Sequence, residues 1–325
     1  MPLAIEAEGL VKRFKDTTAL RDVHLAVPAG TVHGVLGPNG AGKTTAVRIL
    51  ATLLTPDAGR ARVGGHDLLK DPVTVRRSIG LTGQYAALDE ELSALENLAL
   101  IGRLMKLSSG RARARAKELL GNFGLTDAME RPVKTYSGGM RRRADLAASL
   151  VGRPSVLYLD EPTTGLDPHS RNEVWDTVRG LVAQGVTVLL TTQYLEEADQ
   201  LADRITVFNH GTVVAEGRPD ELKRRAGGQT LQVRPTRREH VDTVAQILLG
   251  LTGHIPARDE DSGRLTVPLL DPMVMSALVQ HLAEAGVAFD ELGLRLPTMD
   301  ETFLAITSPG GRRAPLEETL GGRPA

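Results

Sequence analysis

A glycine-rich stretch between a predicted strand and a predicted helix constrains the fold more than any other part of this sequence. Residues 37–45 read Gly-Pro-Asn-Gly-Ala-Gly-Lys-Thr-Thr. The largely apolar run 31–36 before them is typical of a buried strand, and 46–50 has the character of a helix start. Together they match G-x-x-x-x-G-K-[ST], a phosphate-binding loop, in the strand–loop–helix context that this loop needs. A chance match in a chain with 34 Gly is the alternative, which the flanking elements disfavour.

Each residue type in this loop has a physical reason to be there. The glycines let successive backbone N–H groups point inward at a polyphosphate, and the N-terminus of the next helix adds partial positive charge. Lys43 supplies a full charge to the outer phosphates, and the Thr44 hydroxyl is a hard oxygen ligand suited to Mg²⁺. The predicted polyphosphate contacts are Gly37, Pro38, Asn39, Gly40, Ala41, Gly42, Lys43, Thr44 and Thr45.

A pair of acids after a second apolar run is the next signal. The run 156–159, Val-Leu-Tyr-Leu, has the pattern of a strand buried on both faces, and Asp160 and Glu161 follow it directly. In a parallel sheet the carboxyl ends of the strands carry the ligand site. Asp160 can hold Mg²⁺ there, and Glu161 can orient and activate a water. The alternative is that the two acids only cap a helix.

Three further residues or segments carry a weaker signal when each is taken alone. Ser137-Gly138-Gly139 begins a predicted helix and can bind an anion, although an ordinary capped helix has the same pattern. Gln84 follows a short predicted strand, where a glutamine is usually only a surface residue. Phe14 stands among charged residues; packing under a loop is favoured over stacking on an adenine.

Composition limits the function classes. The 325 residues are 41% apolar and carry a net charge of −1, so they do not suggest a general nucleic-acid surface. There is no Cys, and the eight His show no metal-ligand spacing. The N-terminus lacks the pattern of a signal peptide, and no apolar run approaches the roughly 18 residues of a membrane span. We therefore expect a soluble chain, or one held at a membrane only by a partner.

The phosphate loop, Gln84, the Ser-Gly-Gly segment and the Asp-Glu pair, in this order, resemble the ATP-binding-cassette ATPases over roughly 3–222. The resemblance implies an α/β phosphate-loop fold, with a mixed core sheet, an antiparallel β subdomain and an α-helical subdomain. The residue pattern itself predicts strands at 3–11, 19–27 and 186–192, a hairpin over 204–215, and helices from 93 and over 108–123. A capping-box pair, Ser93 and Glu96, begins the first of these helices.

The resemblance also implies roles for single residues. Phe14 then matches the aromatic residue that stacks on adenine. This interpretation replaces packing under a loop, which was favoured when the residue was considered alone. The phosphate loop binds ATP, and Lys43, Glu161 and Gln193 belong to the catalytic set. The implied magnesium ligands are Thr44, Gln84 and Asp160. The implied contacts to ATP held by a second cassette are Ser137, Gly138, Gly139 and Asp167, in a head-to-tail pair that we expect to be a homodimer.

Three positions depart from the family pattern. Tyr136 stands where the signature usually begins with Leu, and Met140 where it usually ends in Gln. Gln193 occupies the position of the usual switch histidine, and a glutamine can hydrogen-bond a phosphate but cannot titrate. Since Glu161 is present, we expect an active ATPase. The alternative that this position raises is a non-hydrolysing, ATP-gated regulatory module.

The C-terminal part predicts a second, smaller domain. Segments 229–234, 241–251, 264–267, 274–285 and 289–296 read strand, helix, strand, helix, strand, which predicts an α+β domain after a linker at 224–228. The segments 192–199 and 297–303 look like the daunorubicin/doxorubicin-resistance branch of the family. The predicted domains are 1–225 with a helical subdomain at about 85–150, an accessory domain at 226–308, and a disordered tail at 309–325.

The sequence thus predicts the ATP-binding and hydrolysing subunit of a multidrug or antibiotic exporter. The expected cofactors are ATP and Mg²⁺. The resemblance implies an integral membrane permease subunit and a second cassette as partners and the cytoplasmic face of the cell membrane as the location, and no nucleic-acid partner is expected. The alternative from another class is a soluble cassette ATPase that acts on nucleic acid or the ribosome. The near-zero net charge and the single cassette disfavour that class.

Overall fold

The computed structural model describes residues 2–83, 88–227, 229–269 and 273–307. Its contacts divide the chain into two compact units, Met1–Arg218 and Pro219–Ala325. Within the described residues, no helix combines the length and the apolar character that a membrane crossing requires.

The first unit alternates strands and helices. Its strands are β1 Leu3–Phe14, β2 Thr17–Pro28, β3 Val32–Leu36, β4 Ala58–Val63, β5 His66–Asp67, β6 Ile79–Thr82, β7 Val156–Asp160, β8 Thr187–Thr192, β9 Arg204–Asn209 and β10 Thr212–Gly217. Its helices are α1 Lys43–Leu50, α2 Pro72–Ser78, α3 Ala94–Leu104, α4 Ser109–Asn122, α5 Gly138–Ser149, α6 Pro168–Ala183 and α7 Leu195–Leu201. Two short 3-10 turns, Thr126–Ala128 and Val133–Thr135, lie between α4 and α5.

A six-stranded mixed sheet forms the centre of this unit, in the order β10-β9-β3-β8-β7-β6. All pairs are parallel except β9 with β10, which form the predicted hairpin. Every residue of β3, β7 and β8 is buried. This burial on both faces explains why these strands lack a strict alternation of apolar and polar residues, and why β7 begins with a continuous apolar run.

A four-stranded antiparallel sheet, in the order β2-β1-β4-β5, is the second layer. Along β1 the buried side chains of Ile5, Ala7 and Leu10 share one cluster with Leu50 on α1 and Tyr158 on β7. The antiparallel sheet therefore packs over the helix that follows the phosphate loop and contributes to positioning it.

Helices α3, α4 and α5 form the insertion between β6 and β7. The capping box at the start of α3 is confirmed, since Ser93 Oγ accepts from the Glu96 backbone N–H at 3.2 Å and Glu96 Oε2 accepts from the Ser93 N–H at 2.8 Å. Helices α3 and α4 cross closely at Gly102, where a Cβ would lie 2.9 Å from the Ala112 Cβ. Only a small residue allows this approach.

The second unit contains an antiparallel sheet with two helices packed on it, and the order of its strands is β12 Ala257–Arg258, β13 Leu265–Leu269, β11 Gln229–Pro235 and β14 Phe289–Arg295. The predicted strand–helix–strand–helix–strand order is confirmed. Its core includes Leu231, Val233, Val244, Leu248, Leu265, Val267, Leu278 and Leu282. Its elements are α8 Pro219–Gly227, β11 Gln229–Pro235, α9 Val241–Thr252, β12 Ala257–Arg258, β13 Leu265–Leu269, α10 Val274–Glu284, β14 Phe289–Arg295 and α11 Met299–Thr307.

The linker predicted at 224–228 is wrong for residues 224–227, which continue helix α8. Leu222 is fully buried, and α8 packs on α11 within the second unit. Acids in the first turn of α8 and arginines in its last turn complement the helix dipole, which favours a helix over a linker. The structure thus assigns Pro219–Gly227 to the second unit, whereas the predicted domain boundary lay at 225. Residues 308–325, which include the predicted tail, lie outside the described residues.

Candidate functional site

Three neighbouring parallel strands bring three of the predicted site segments to one edge of the central sheet. Leu36 at the end of β3 pairs with Thr192 on β8, and Thr191 pairs with Asp160 at the end of β7. The phosphate loop follows β3, Glu161 follows β7, and Gln193 follows β8. The carboxyl ends of the strands thus carry these segments side by side, as the sequence predicted.

Two glycines of the loop are required by close backbone approaches. A Cβ on Gly37 would lie 2.5 Å from the Phe208 carbonyl oxygen on β9. Gly42, with φ of 105°, would place a Cβ 2.5 Å from the Ala19 carbonyl oxygen on β2. Any side chain at either position would displace a strand. Gly42 also precedes α1, so its left-handed conformation turns the chain into the helix.

Lys43 lies buried across the loop. Its Nζ donates to the Gly37 carbonyl at 2.6 Å and to the Pro38 carbonyl at 3.1 Å. Burial lowers the pKa of Lys43, while the nearby carboxylates of Glu161 and Asp160 act in the opposite direction. A buried ammonium beside two carboxylates suits the binding of a triphosphate. The lysine neutralises part of the phosphate charge, and a bound cation can neutralise the rest.

The Thr44 hydroxyl and Asp160 face each other. Thr44 Oγ1 lies 3.4 Å and 3.3 Å from the two carboxylate oxygens of Asp160. Thr191 on β8 also donates to Asp160, which fixes the carboxylate from the neighbouring strand. These are hard oxygen donors, the ligand type that Mg²⁺ prefers. Thr191 was not predicted as a site residue; its only signal was one of the three threonine hydroxyls in β8.

Glu161 turns the chain away from the sheet directly after Asp160. Its φ of 51° lies in the left-handed region, which costs about 1–3 kcal/mol for a residue other than glycine. The Glu161 N–H donates to the Thr191 carbonyl at 2.9 Å, and its carboxylate accepts from the Thr164 hydroxyl at 3.3 Å. The half-buried carboxylate is thus held next to Asp160 and Lys43.

The remaining loop residues divide by exposure. Pro38, Asn39 and Gly40 are exposed, and Thr44 and Thr45 are half-buried. The sides of the loop that face the sheet, Gly37, Ala41, Gly42 and Lys43, are buried. Ala41 is tied to the β9–β10 turn, because its carbonyl accepts from the Gly211 N–H at 3.0 Å.

Phe14 ends strand β1. Its side chain is 46% exposed, and Lys12 Nζ lies 5.7 Å from the centre of its ring. That exposure exceeds what packing under a loop produces, so the ring is available for stacking.

The Ser-Gly-Gly segment and Asp167 begin two neighbouring helices. Ser137 Oγ accepts from the Met140 N–H at 3.2 Å, and Asp167 accepts from the Ser170 N–H at 2.9 Å. Hydrogen bonds from Ser170 hold the pKa of the exposed Asp167 below its usual value. A Cβ on Gly139 would lie 2.6 Å from Ser170 Oγ, so this glycine lets the two helix starts meet.

The departure at Tyr136 has a structural explanation. The ring is buried, and its hydroxyl donates to the Ala128 carbonyl at 2.7 Å, a bond that a leucine cannot make. Gln193 is exposed, at the sheet edge after β8. Gln84 lies outside the described residues, so its predicted role is not addressed by the geometry.

Comparison with known proteins places this geometry in a family. The family profile named ABC transporter matches residues 20–164. The chain is 56% identical to the daunorubicin resistance ATP-binding protein DrrA3 of Streptomyces coeruleorubidus over 311 residues, covering 95% of this chain and 97% of that protein. The chain belongs to the ABC transporter ATP-binding proteins. Like other ABC cassettes, it binds nucleotide and is an ATPase.

Two further comparisons agree with this assignment. The ABC protein is 53% identical to the daunorubicin/doxorubicin resistance ATP-binding protein DrrA of Streptomyces peucetius, covering 94% of this chain and 92% of that one. A solved ABC cassette, described as a dimeric post-hydrolysis state bound to ADP and Pi, aligns with a TM-score of 0.60 and 27% identity, covering 66% of this chain and 98% of that one. The predicted fold class and the predicted branch are confirmed.

Proposed function

We propose that this chain supplies the energy for export of an antibiotic or another drug through a separate membrane subunit. The observation that carries the proposal is the meeting of Lys43, Asp160 and Glu161 at one sheet edge in a chain that shares more than half its residues with a daunorubicin resistance protein over most of its length. The chain thus combines residues suited to phosphoryl transfer with high sequence identity to drug-resistance proteins.

Each predicted site residue has a role in this proposal that its contacts support. The loop from Gly37 to Thr45 binds the phosphates of ATP, with Lys43 as the charged contact. Phe14, with its exposed ring, stacks on the adenine. Glu161 orients the attacking water, and Gln193 donates a hydrogen bond to the outer phosphate. The chemistry is positioning and charge stabilisation, since phosphoryl transfer asks for little covalent work from the protein.

Magnesium fits the oxygen ligands at the end of β7. We propose that Thr44 and Asp160 hold it, with Gln84 as the further predicted ligand. Bound there, Mg²⁺ neutralises charge on the outer phosphates. The hydrogen bond from Thr191 keeps the Asp160 carboxylate turned toward Thr44.

A second copy of this chain completes each site in our proposal. Ser137, Gly138 and Asp167 are exposed, so they are accessible to ATP held by a partner cassette. Gly139 is buried against Ser170 and supports the turn. The membrane partner is an integral permease subunit, and the assembly works at the cytoplasmic face of the cell membrane.

The test is ATP hydrolysis by this chain produced together with its membrane subunit in lipid vesicles, with and without daunorubicin. We expect drug-stimulated turnover in the wild type, and a loss of about a hundredfold or more in Glu161→Gln, because the water loses its carboxylate. The matched control is Glu130→Gln, at an exposed glutamate near Arg113. Equal turnover in the two variants would contradict the role of Glu161, and turnover insensitive to every drug tried would contradict the transport function.

A further inference from the structure

One buried cluster contains a residue from each of five predicted site segments. None of these residues is itself a predicted site residue. The cluster surrounds Glu197 on α7, whose side chain is fully buried. Each contributing residue belongs to one segment: Gly83 precedes Gln84, Arg142 lies on the helix capped by Ser137, Thr163 follows Glu161 by two residues, Trp175 lies on the helix capped by Asp167, and Thr192 precedes Gln193.

Glu197 supplies the carboxylate at the centre of this cluster. Trp175 Nε1 donates to its Oε1 at 3.3 Å. Burial raises the pKa of Glu197, and the Thr192 and Thr163 hydroxyls, Trp175 and the charge of Arg142 act in the opposite direction. A glutamate is almost never fully buried without partners, so this carboxylate has a specific reason to be inside.

Arg142 is the matching cation. Its Nη1 donates to the Gly83 carbonyl at 3.1 Å, which ties α5 to the end of β6. Burial lowers the pKa of Arg142, while the carboxylates of Asp145, Glu197 and Asp160 raise it. The guanidinium therefore lies in the field of three acids, one of which is a predicted magnesium ligand.

The cluster is only partly paired. Within the described part of the chain, Glu197 Oε2, Thr163 Oγ1 and the Nε and Nη2 atoms of Arg142 are buried without a hydrogen bond of good geometry. Leaving such an atom unpaired away from water is unfavourable. The Thr163 hydroxyl and the Arg142 charge are near enough to act on Glu197, yet their pairing with it is incomplete at these atoms. A small shift of α5 or of the 161–163 turn is a direct way to pair them.

We propose that Glu197 is a positioning residue, which holds the segments of Glu161 and Gln193 in register with the helix behind Ser137, and that its pairing with Arg142 and Thr163 is completed when nucleotide binds. This inference rests on the proposed site roles. It assigns to Glu197 no contact with ATP. Its effect passes through the turn after Glu161 and through the strand end before Gln193.

Trp175 allows a direct test, because it is the single tryptophan of the chain and bonds to Glu197. The full-length protein is titrated with MgATP while its tryptophan emission is recorded. We expect a saturable emission change in the wild type and in Glu196→Gln, an exposed neighbour that pairs with Arg171. We expect Glu197→Gln, which keeps shape but loses the charge, to bind a fluorescent ATP analogue normally while the emission change is at least halved.

Turnover supplies the second measurement. We expect Glu197→Gln to lower kcat about tenfold with KM within about twofold, since positioning of the reacting groups is lost while the phosphate loop is intact. Arg142→Lys, which keeps the charge but not the planar fork, is measured in the same way and replaces Glu197→Gln if that variant does not fold. A wild-type emission and kcat in both variants would overturn the inference. Failure of the wild type to hydrolyse ATP would instead contradict the proposed function, and the emission titration would still test the cluster.

Discussion

Lys43 is the residue on which nucleotide affinity depends most directly in our proposal. Its ammonium is buried between two loop carbonyls and two acids. We expect Lys43→Met, which keeps the length but not the charge, to weaken ATP binding roughly tenfold to a hundredfold, the value of a hydrogen bond to a charged group. The measurement is calorimetric titration with ATP.

The control for this prediction is Lys134→Met, at an exposed lysine paired with Glu91. Its ATP affinity should equal that of the wild type. An unchanged affinity in Lys43→Met would show that the loop amides alone bind the phosphates.

His33 links stability to pH. It is fully buried on β3, with Nε2 2.7 Å from Thr206 Oγ1, and burial followed by the charge of Arg204 lowers its pKa from 6.5 to about 3. Since its pKa is lower in the folded state, its contribution is complete above pH 6.5 and is lost as the pH falls toward 3. The loss approaches about 1.4 kcal/mol per pH unit within that range.

We therefore expect the free energy of unfolding of His33→Gln to fall less steeply than that of the wild type between pH 6.5 and pH 5. Urea unfolding at closely spaced pH values measures the slope. The control is His24→Gln, at an exposed histidine, which should keep the wild-type slope. Parallel slopes in wild type and His33→Gln would refute the prediction.

Residues that act on a ligand were easier to predict than residues that support them. Lys43 and Glu161 belong to patterns whose spacing follows from phosphate chemistry. Thr191 and Glu197 act through partners on other elements, and those partners are brought together only by the order of the strands. At Thr191 and Glu197, a single sequence contains no signal for which strands and helices become neighbours in the fold.

At the scale of elements, the starts of α3 and α4 provide a matched pair of serine caps. Ser93 makes both bonds of a capping box, whereas Ser108, which begins α4, makes no side-chain capping bond. We expect Ser93→Ala to lose about 1 kcal/mol of stability and Ser108→Ala to lose less than about 0.5 kcal/mol. Chemical denaturation of the two variants measures the difference, and equal losses would refute it.

The strands and helices that carry their own pattern were predicted within a few residues. β7 begins with a continuous apolar run, β8 combines branched apolar residues with threonines, and the β9–β10 hairpin has a turn at Asn209-His210-Gly211. Helix α8 was missed because its sequence is mostly charged, and one buried side chain, Leu222, anchors it. Tertiary packing, which no local pattern shows, decides such an element.

At the scale of the whole molecule, the two units have separate cores. The cluster around Leu278 is drawn entirely from the second unit, between residues 231 and 292. We expect Leu278→Ala to destabilise that unit by about 2–5 kcal/mol through the cavity it leaves. ATP affinity should stay within about twofold, since the two core clusters share no residue and sites without shared partners behave independently.

Hydrogen exchange of the full chain, with ATP affinity measured in parallel, tests this prediction. Val279→Ala is the matched control, because Val279 follows Leu278 on the same helix and is 42% exposed. Faster exchange confined to residues beyond 219 in Leu278→Ala is the expected result. A drop in ATP affinity of the same size as the loss of stability would contradict the independence of the two cores.

The contact of Gly42 with the Ala19 carbonyl has a consequence for ligand choice. The phosphate loop packs directly on strand β2 there, against the Ala19 carbonyl and beside the Leu20 side chain. Phe14 pairs with Thr17 at the start of the same strand, two residues before Ala19. The Phe14 ring therefore lies at the end of the same β1–β2 hairpin that the phosphate loop contacts at Ala19. In our proposal, a nucleotide whose base reaches the ring while its phosphates lie in the loop binds at both ends, and we expect free polyphosphate, which has no base, to contact the loop alone.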